Sequence, residues 1–94
     1  MDKEYIYRKA ISVWGVAAQT DMVIEECAEL IKALQKRKRN PNNPTTVDSI
    51  LEEMVDVEIM LEQLKIIYDY DYSGESHFET TKKTKLRRLV GRLQ

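Results

Sequence analysis

The sequence has few of the residues that define several common protein classes. A single cysteine, Cys27, excludes an internal disulfide framework, and no Cys/His pattern indicates structural zinc. No apolar run reaches the roughly 18–20 residues that a membrane span requires, and the N-terminus has no apolar leader. With 94 residues, the chain has room for one domain, residues 1–94. We therefore expect a single-domain cytoplasmic protein with no membrane partner.

The small net charge of −1 conceals charges that are segregated along the chain. Residues 48–71 contain eight acidic side chains and one basic side chain, whereas residues 82–92 contain six basic side chains and no acidic one. Four further basic residues occupy positions 36–39. The overall balance does not favour nucleic-acid binding, so none is expected, but local basic patches are present.

Helical periodicity dominates, since there are only three glycines and two prolines, and both prolines lie in residues 40–46. The patterns predict helices over residues 4–14, 21–39, 47–68 and 75–93, with a turn at 69–74. We expect Thr20 to cap the second helix and Thr46 or Asp48 to cap the third. The third helix is apolar on more than one face, which a short monomer cannot cover. The predicted fold is all-α, with a hairpin of two long helices and flanking helices, assembled into an oligomer resembling a four-helix bundle.

Two pairs of carboxylates interrupt the apolar stripes of the long helices. Glu26 and Glu29 are three residues apart, as are Glu53 and Asp56, so each pair lies on one helical face. Asp56 is a poor mid-helix residue that propensity does not explain. A hairpin would bring the pairs face to face, where carboxylates either take up protons or bind a hard divalent cation such as Mg²⁺. Each pair alone is also compatible with a solvated helix surface.

These residues resemble the MazG-like nucleoside triphosphate pyrophosphohydrolases of the all-α NTP pyrophosphatase superfamily. The match rests on Trp14-Gly15, Gln19, the ExxE motif at Glu26–Glu29 and the ExxD motif at Glu53–Asp56, with 23 residues between the motifs. The resemblance spans residues 10–92. It implies hydrolysis of (d)NTPs to (d)NMPs and pyrophosphate in nucleotide-pool house-cleaning, with Mg²⁺ as cofactor and Mn²⁺ as a substitute, by a homodimer or homotetramer.

The resemblance also implies roles for individual residues. Glu26, Glu29, Glu53 and Asp56 would hold the metal and form the catalytic set, with a glutamate of the first pair orienting the attacking water. Trp14 would stack on the base and Gln19 would hydrogen-bond it, although Trp14 is equally compatible with a core position. Basic side chains of the last helix would contact phosphate: Lys82, Lys85 and either Arg88 or Arg92. The last helix lacks an asparagine, so the family pattern is looser there.

Several alternatives remain open at this point. A non-enzymatic helical dimerisation module would explain the apolar third helix but not Asp56. A nucleic-acid-binding regulator would use the basic patches at 36–39 or 82–92, yet no helix-turn-helix or zinc-finger pattern is present. Within the superfamily, dUTP, dCTP and phosphoribosyl-ATP are further substrates. We expect Cys27 to be a small buried side chain, His77 to lie at the surface, and Tyr68, Tyr70 and Tyr72 to belong to a packed turn or a base pocket.

Overall fold

The computed structural model describes residues 1–94, and it confirms the all-α prediction. Four helices account for nearly all of the ordered backbone. In chain order the elements are α1 (Lys3–Trp14), α2 (Val16–Arg39), α3 (Thr45–Tyr68), β1 (Asp71–Tyr72), β2 (Glu75–Ser76) and α4 (His77–Leu93). No helix is both long and apolar enough to cross a membrane.

The first two helices are separated by a single residue, Gly15. Asp2 caps α1 by accepting a hydrogen bond from the Tyr5 amide at 3.1 Å. Gly15 then adopts a φ of +90°, which is strained for any residue with a Cβ, and its carbonyl already accepts from the Gln19 amide of α2. The prediction that Thr20 caps α2 is therefore wrong. Helix α2 begins earlier, and the Thr20 hydroxyl donates to the Val16 carbonyl inside it.

Helices α2 and α3 form the predicted hairpin, joined by a short Asn/Pro loop. The Asn43 side chain accepts hydrogen bonds from the amide and hydroxyl of Thr45, which satisfies the first turn of α3. The predicted caps, Thr46 and Asp48, both lie inside α3 instead. The buried Thr46 hydroxyl donates to the Asn43 carbonyl, so the loop is fixed from both sides.

The turn after α3 contains a short β-hairpin that the sequence pattern does not predict. Strands β1 and β2 pair antiparallel, with Asp71 opposite Ser76 and Tyr72 opposite Glu75. The predicted last helix thus loses its first two residues to β2, because Ser76 is the N-cap and its hydroxyl accepts from the Glu79 amide. This corner sends α4 away from the α2–α3 hairpin, with which it shares few contacts.

The single chain has almost no hydrophobic core. Only Ala33 and Met60 are buried apolar residues, and the other buried residues are polar: Gln19, Thr46 and Gln63. The radius of gyration is 16.5 Å, whereas a compact domain of this length has about 12 Å. Large apolar side chains on every helix remain exposed. The stripes that the sequence predicts as core faces are therefore only partly covered within one chain.

Candidate metal centre

The facing sides of α2 and α3 meet along a seam that is largely polar. At one end, the buried Gln19 amide donates to the Gln63 carbonyl oxygen at 2.6 Å. At the other end, Arg37 donates to the Thr46 hydroxyl at 3.2 Å. These pairs run in opposite directions along the two helices, as an antiparallel hairpin requires. The two pairs therefore determine which residues of α2 and α3 face each other in the stretch that lies between the pairs.

Between these two hydrogen-bonded pairs, three of the predicted carboxylates converge. Glu26 of α2 and Glu53 and Asp56 of α3 each offer one carboxylate oxygen, and these oxygens all lie within 4.8 Å of one another. Glu26 and Glu53 are half-buried, whereas Asp56 is exposed. The three groups therefore form an acidic cluster that is open to solvent at Asp56.

The electrostatics of the cluster favour either protons or a bound cation. Burial raises the pKa of Glu26 above its ordinary value, and the nearby carboxylates of Asp56 and Glu53 raise it further. Burial also raises the pKa of Glu53, followed by the charges of Asp56 and Glu29. A side-chain hydrogen bond with Asp56 makes the smallest of the contributions that raise the pKa of Glu26. No lysine or arginine forms an ion pair with any member of the cluster.

One atom of the cluster is left without any partner. Although Glu53 as a whole is only half-buried, its Oε2 atom is screened from water and makes no hydrogen bond. A buried oxygen of this kind carries a desolvation cost that a donor or cation would remove. The donor set consists entirely of carboxylate oxygens, which suits Mg²⁺ or Mn²⁺ and does not suit a softer metal. The residues present therefore fit the predicted ion.

The fourth predicted ligand, Glu29, stands beside the cluster rather than in it. Its charge contributes to the raised pKa of Glu53, so the two side chains are close, yet Glu29 is exposed. The i,i+3 spacing correctly predicts that Glu26 and Glu29 share a face. It does not predict that one points into the seam while the other lies at its rim.

The two predicted base-binding residues have very different surroundings. Trp14, at the end of α1, is 65% exposed, so the core position considered for it is wrong within a single chain. Gln19 is only 4% exposed, and its amide nitrogen is already engaged with Gln63. A contact between this nitrogen and a base would require this bond to break, so the base-binding role of Gln19 stays a prediction.

The predicted phosphate-binding residues lie on α4, apart from the carboxylates. Lys82 and Lys85 line a groove between α3 and α4, together with Arg92, whereas Arg88 lies on a neighbouring exposed surface beside Gly91. No hydrogen bond or ion pair links Lys82, Lys85 or Arg88 to any other side chain. Within one chain, the structure therefore does not bring these cations to the metal centre.

Sequence reasoning missed Gln63, which completes the seam at its Gln19 end. The signal was available, because Gln19 and Glu26 are seven residues apart on α2, as are Asp56 and Gln63 on α3. Residues seven positions apart lie on the same face of a helix, so Gln19 shares the face of Glu26, and Gln63 shares the face of Asp56. Reading the carboxylates together with this repeat would have placed Gln63 opposite Gln19.

The remaining predictions concern Cys27, His77 and the tyrosines of the turn after α3. Cys27 is half-buried rather than buried. His77 lies at the surface, as predicted, where its ring stacks on Tyr70 with a centroid separation of 4.8 Å. Tyr68, Tyr70 and Tyr72 are all more than half exposed, so the turn that carries them is not a packed one.

Comparison with known proteins assigns neither a family nor a function to the chain. No family model, no curated protein and no solved structure matches the chain. The chemistry of the seam therefore carries the functional argument, together with the motif resemblance.

Proposed function

We propose that the protein is a Mg²⁺-dependent nucleoside triphosphate pyrophosphohydrolase that acts in nucleotide-pool house-cleaning. The reaction converts a (d)NTP to the corresponding (d)NMP and pyrophosphate. The observation that carries the proposal is the convergence of Glu26, Glu53 and Asp56 from facing helices, with the Glu53 Oε2 atom buried and unpartnered. The ExxE and ExxD spacing supports the same conclusion. The active protein is proposed to be a homodimer or homotetramer.

The carboxylates of the seam supply the oxygen ligands that such a reaction needs. Glu26, Glu53 and Asp56 would hold Mg²⁺, with Mn²⁺ as a substitute, and the exposed side of Asp56 leaves room for phosphate oxygens and water. When bound, the metal supplies neutralisation of the triphosphate charge and a lowered pKa for the attacking water. The hairpin positions these carboxylates, because the pairs Gln19–Gln63 and Arg37–Thr46 fix the register of α2 against α3.

Glu29 is the best candidate for orienting the attacking water. It is exposed at the rim of the cluster and close to Glu53, so it can accept a proton without being taken up in metal binding. Trp14 has an exposed ring on which a base can stack, an interaction worth about 1–3 kcal/mol in related settings. Lys82, Lys85 and Arg88 are unpaired cations suited to phosphate oxygens.

The test is a hydrolysis assay on a panel of NTPs and dNTPs, with pyrophosphate measured in the presence of Mg²⁺. We expect release that EDTA abolishes and that Asp56→Asn lowers at least about 100-fold, because a bound metal contributes several kcal/mol and each 1.36 kcal/mol is tenfold. Asp21→Asn is the matched control, since Asp21 is an exposed acidic residue of α2 outside the cluster. An unchanged rate in Asp56→Asn would contradict the site assignment.

A non-enzymatic helical dimerisation module is the second candidate function. It is favoured by the exposed apolar side chains of α2 and α3 and by the near absence of a buried core. It gives no reason for the buried carboxylate oxygen of Glu53. A stably folded oligomer that hydrolyses no nucleotide of the panel, and whose melting temperature does not respond to Mg²⁺, would favour this candidate over the enzyme.

A further inference from the structure

The buried amide pair at the end of the seam is held in one orientation by its contacts. The Gln19 nitrogen donates to the Gln63 carbonyl oxygen at 2.6 Å, and the Gln63 nitrogen faces the weakly accepting Met60 sulfur at 3.7 Å. Turning either amide alone would place two donors or two acceptors against each other, and turning both would leave the Gln63 oxygen facing a sulfur that has no proton to donate. The Gln19 nitrogen is therefore committed to a partner within the chain.

The oxygen of Gln19, in contrast, has no hydrogen-bond partner in the chain. Although Gln19 is only 4% exposed, this oxygen is not screened from water, because Glu53 Oε2 is the only buried side-chain oxygen or nitrogen without a hydrogen bond. Gln19 thus offers solvent a single acceptor on a side chain that is otherwise enclosed. Since its nitrogen is engaged with Gln63, the amide cannot turn to offer a donor instead without breaking that bond.

This free acceptor lies two helical turns from the candidate metal ligands. Gln19 is seven residues before Glu26 on α2, and Gln63 is seven residues after Asp56 on α3. Because a helix rises about 1.5 Å per residue, the amide pair is about 10 Å along the helices from the carboxylates. Trp14 ends α1 five residues before Gln19, and its ring is exposed. A nucleotide whose phosphates lie at the carboxylates can therefore extend its base towards this end of the seam.

A fixed acceptor distinguishes bases by the group that they offer to it. Cytosine and adenine carry an exocyclic amino group, whereas thymine, uracil and guanine have a carbonyl oxygen at the corresponding ring position. An amino group can donate to the Gln19 oxygen, but a carbonyl oxygen would face it as a second acceptor. We propose that Gln63 is a positioning residue that keeps Gln19 as an acceptor, so that the site prefers nucleotides of cytosine and adenine. This inference rests on the proposed function and on the base-binding role of Gln19.

The first test compares two pairs of nucleotides on the unmodified protein, dCTP with dUTP and dATP with dITP. Within each pair, one base carries an amino group where the other carries a carbonyl oxygen. We expect kcat/KM to be at least about tenfold higher for dCTP and dATP, because a carbonyl oxygen facing the Gln19 oxygen leaves both acceptors unpaired. Equal values, or a preference for dUTP and dITP, would overturn this inference while leaving the proposed hydrolysis intact.

Substitutions of Gln63 test whether this residue causes the preference. Gln63→Met removes the acceptor at a similar side-chain size and frees the Gln19 amide to turn, so both kcat/KM ratios should fall close to unity. Gln63→Glu retains an acceptor for the Gln19 nitrogen and should keep the preference. A merely structural role of Gln63 would instead lower kcat/KM for all four nucleotides alike. Gln35→Met, the same substitution at an exposed glutamine of α2, is the matched control and should leave both ratios unchanged.

Binding of nucleoside monophosphates separates this inference from the proposed hydrolysis. Isothermal titration calorimetry with dCMP and dUMP reports the base contact whether or not a triphosphate is cleaved. Tighter binding of dCMP, lost in Gln63→Met, would support the base site even if no triphosphate of the panel is hydrolysed. The absence of any difference between the two monophosphates would overturn it. Circular dichroism identifies a variant that does not fold, and the comparison on the unmodified protein then decides.

Discussion

The α2–α3 hairpin and the α4 arm are built in contrasting ways. The hairpin holds all five buried residues of the chain, and its seam is fixed by side-chain hydrogen bonds at both ends. Helix α4 has no buried residue, and its position depends on the corner at its N-terminus. The hairpin therefore fixes a site within one chain, whereas α4 leaves its apolar side chains exposed.

The corner that holds α4 is organised by one carboxylate. Asp69 accepts hydrogen bonds from the Tyr70 and Phe78 amides and from the Ser76 hydroxyl. These bonds lower the pKa of Asp69, the Ser76 hydroxyl first, then the Phe78 amide. The carboxylate at the corner is thus fully satisfied, in contrast to the Glu53 oxygen that is left unpartnered in the seam. The hydrogen bonds of one acidic site are satisfied within the chain, whereas in the other a proton or a cation would offset burial and repulsion.

The largest expected effect comes from substituting a predicted metal ligand in the seam between α2 and α3. Glu26→Gln should abolish hydrolysis, and it should also remove the increase in melting temperature that Mg²⁺ gives the unmodified protein. Without divalent ions, the same variant should be at least as stable as the unmodified chain, because it relieves repulsion with Asp56 and Glu53. Thermal unfolding with and without Mg²⁺ measures both effects. Retention of the full Mg²⁺ response would contradict the ligand role of Glu26.

The second prediction compares packing in the two regions. Met60→Ala removes one of the two buried apolar side chains, so it should lower the free energy of unfolding by about 2–5 kcal/mol. Val90→Ala on α4 should change it by less than about 0.5 kcal/mol, since Val90 is more than half exposed and lies outside the groove. Urea unfolding at one fixed protein concentration gives both values. Equal costs would mean that α4 is as well packed as the hairpin.

Much of this contrast was predictable from the sequence, but only where contacts are local. Helical periodicity predicts all four helices, and i,i+3 spacing predicts which carboxylates share a face. The helix ends were harder, because Gly15 joins α1 to α2 through a positive φ that periodicity does not report. The direction of α4 depends on Asp69, Ser76 and Phe78 meeting across the corner, and this is set by backbone geometry rather than by an apolar pattern.

The third prediction concerns the buried amide pair at the end of the seam. Gln19→Leu leaves the Gln63 carbonyl oxygen without its donor, which should lower the free energy of unfolding by about 1–3 kcal/mol. The double variant Gln19→Leu/Gln63→Met replaces both partners with apolar groups and should recover most of that loss. A double-mutant cycle by urea unfolding measures the coupling. Additive costs would show that the two amides do not interact in solution.

The last and smallest effect is a pH dependence of stability with opposite signs in the two regions. Glu26 and Glu53 have raised pKa values in the folded protein, first because of burial and then because of the neighbouring carboxylates, so their charged forms cost stability at neutral pH. This cost disappears as the pH falls through the raised pKa values towards about 4.3, the value of an unfolded glutamate. Asp69 has a lowered pKa, so its contribution is intact above about 3.9, the value of an unfolded aspartate, and is lost only below it.

Without divalent ions, the melting temperature should therefore rise on mild acidification and fall on further acidification. Glu53→Gln should reduce the rise, because it removes one of the two carboxyl groups with a raised pKa, and Asp69→Asn should reduce the fall, because it removes the carboxyl group with a lowered pKa. Saturating Mg²⁺ should suppress the rise and leave the fall unchanged, since a cation among the carboxylates replaces the proton that they otherwise take up. A single monotonic decline with acid in the unmodified chain would mean that neither burial nor mutual repulsion raises the pKa of the seam carboxylates. It would then remove the electrostatic reason for a cation between α2 and α3.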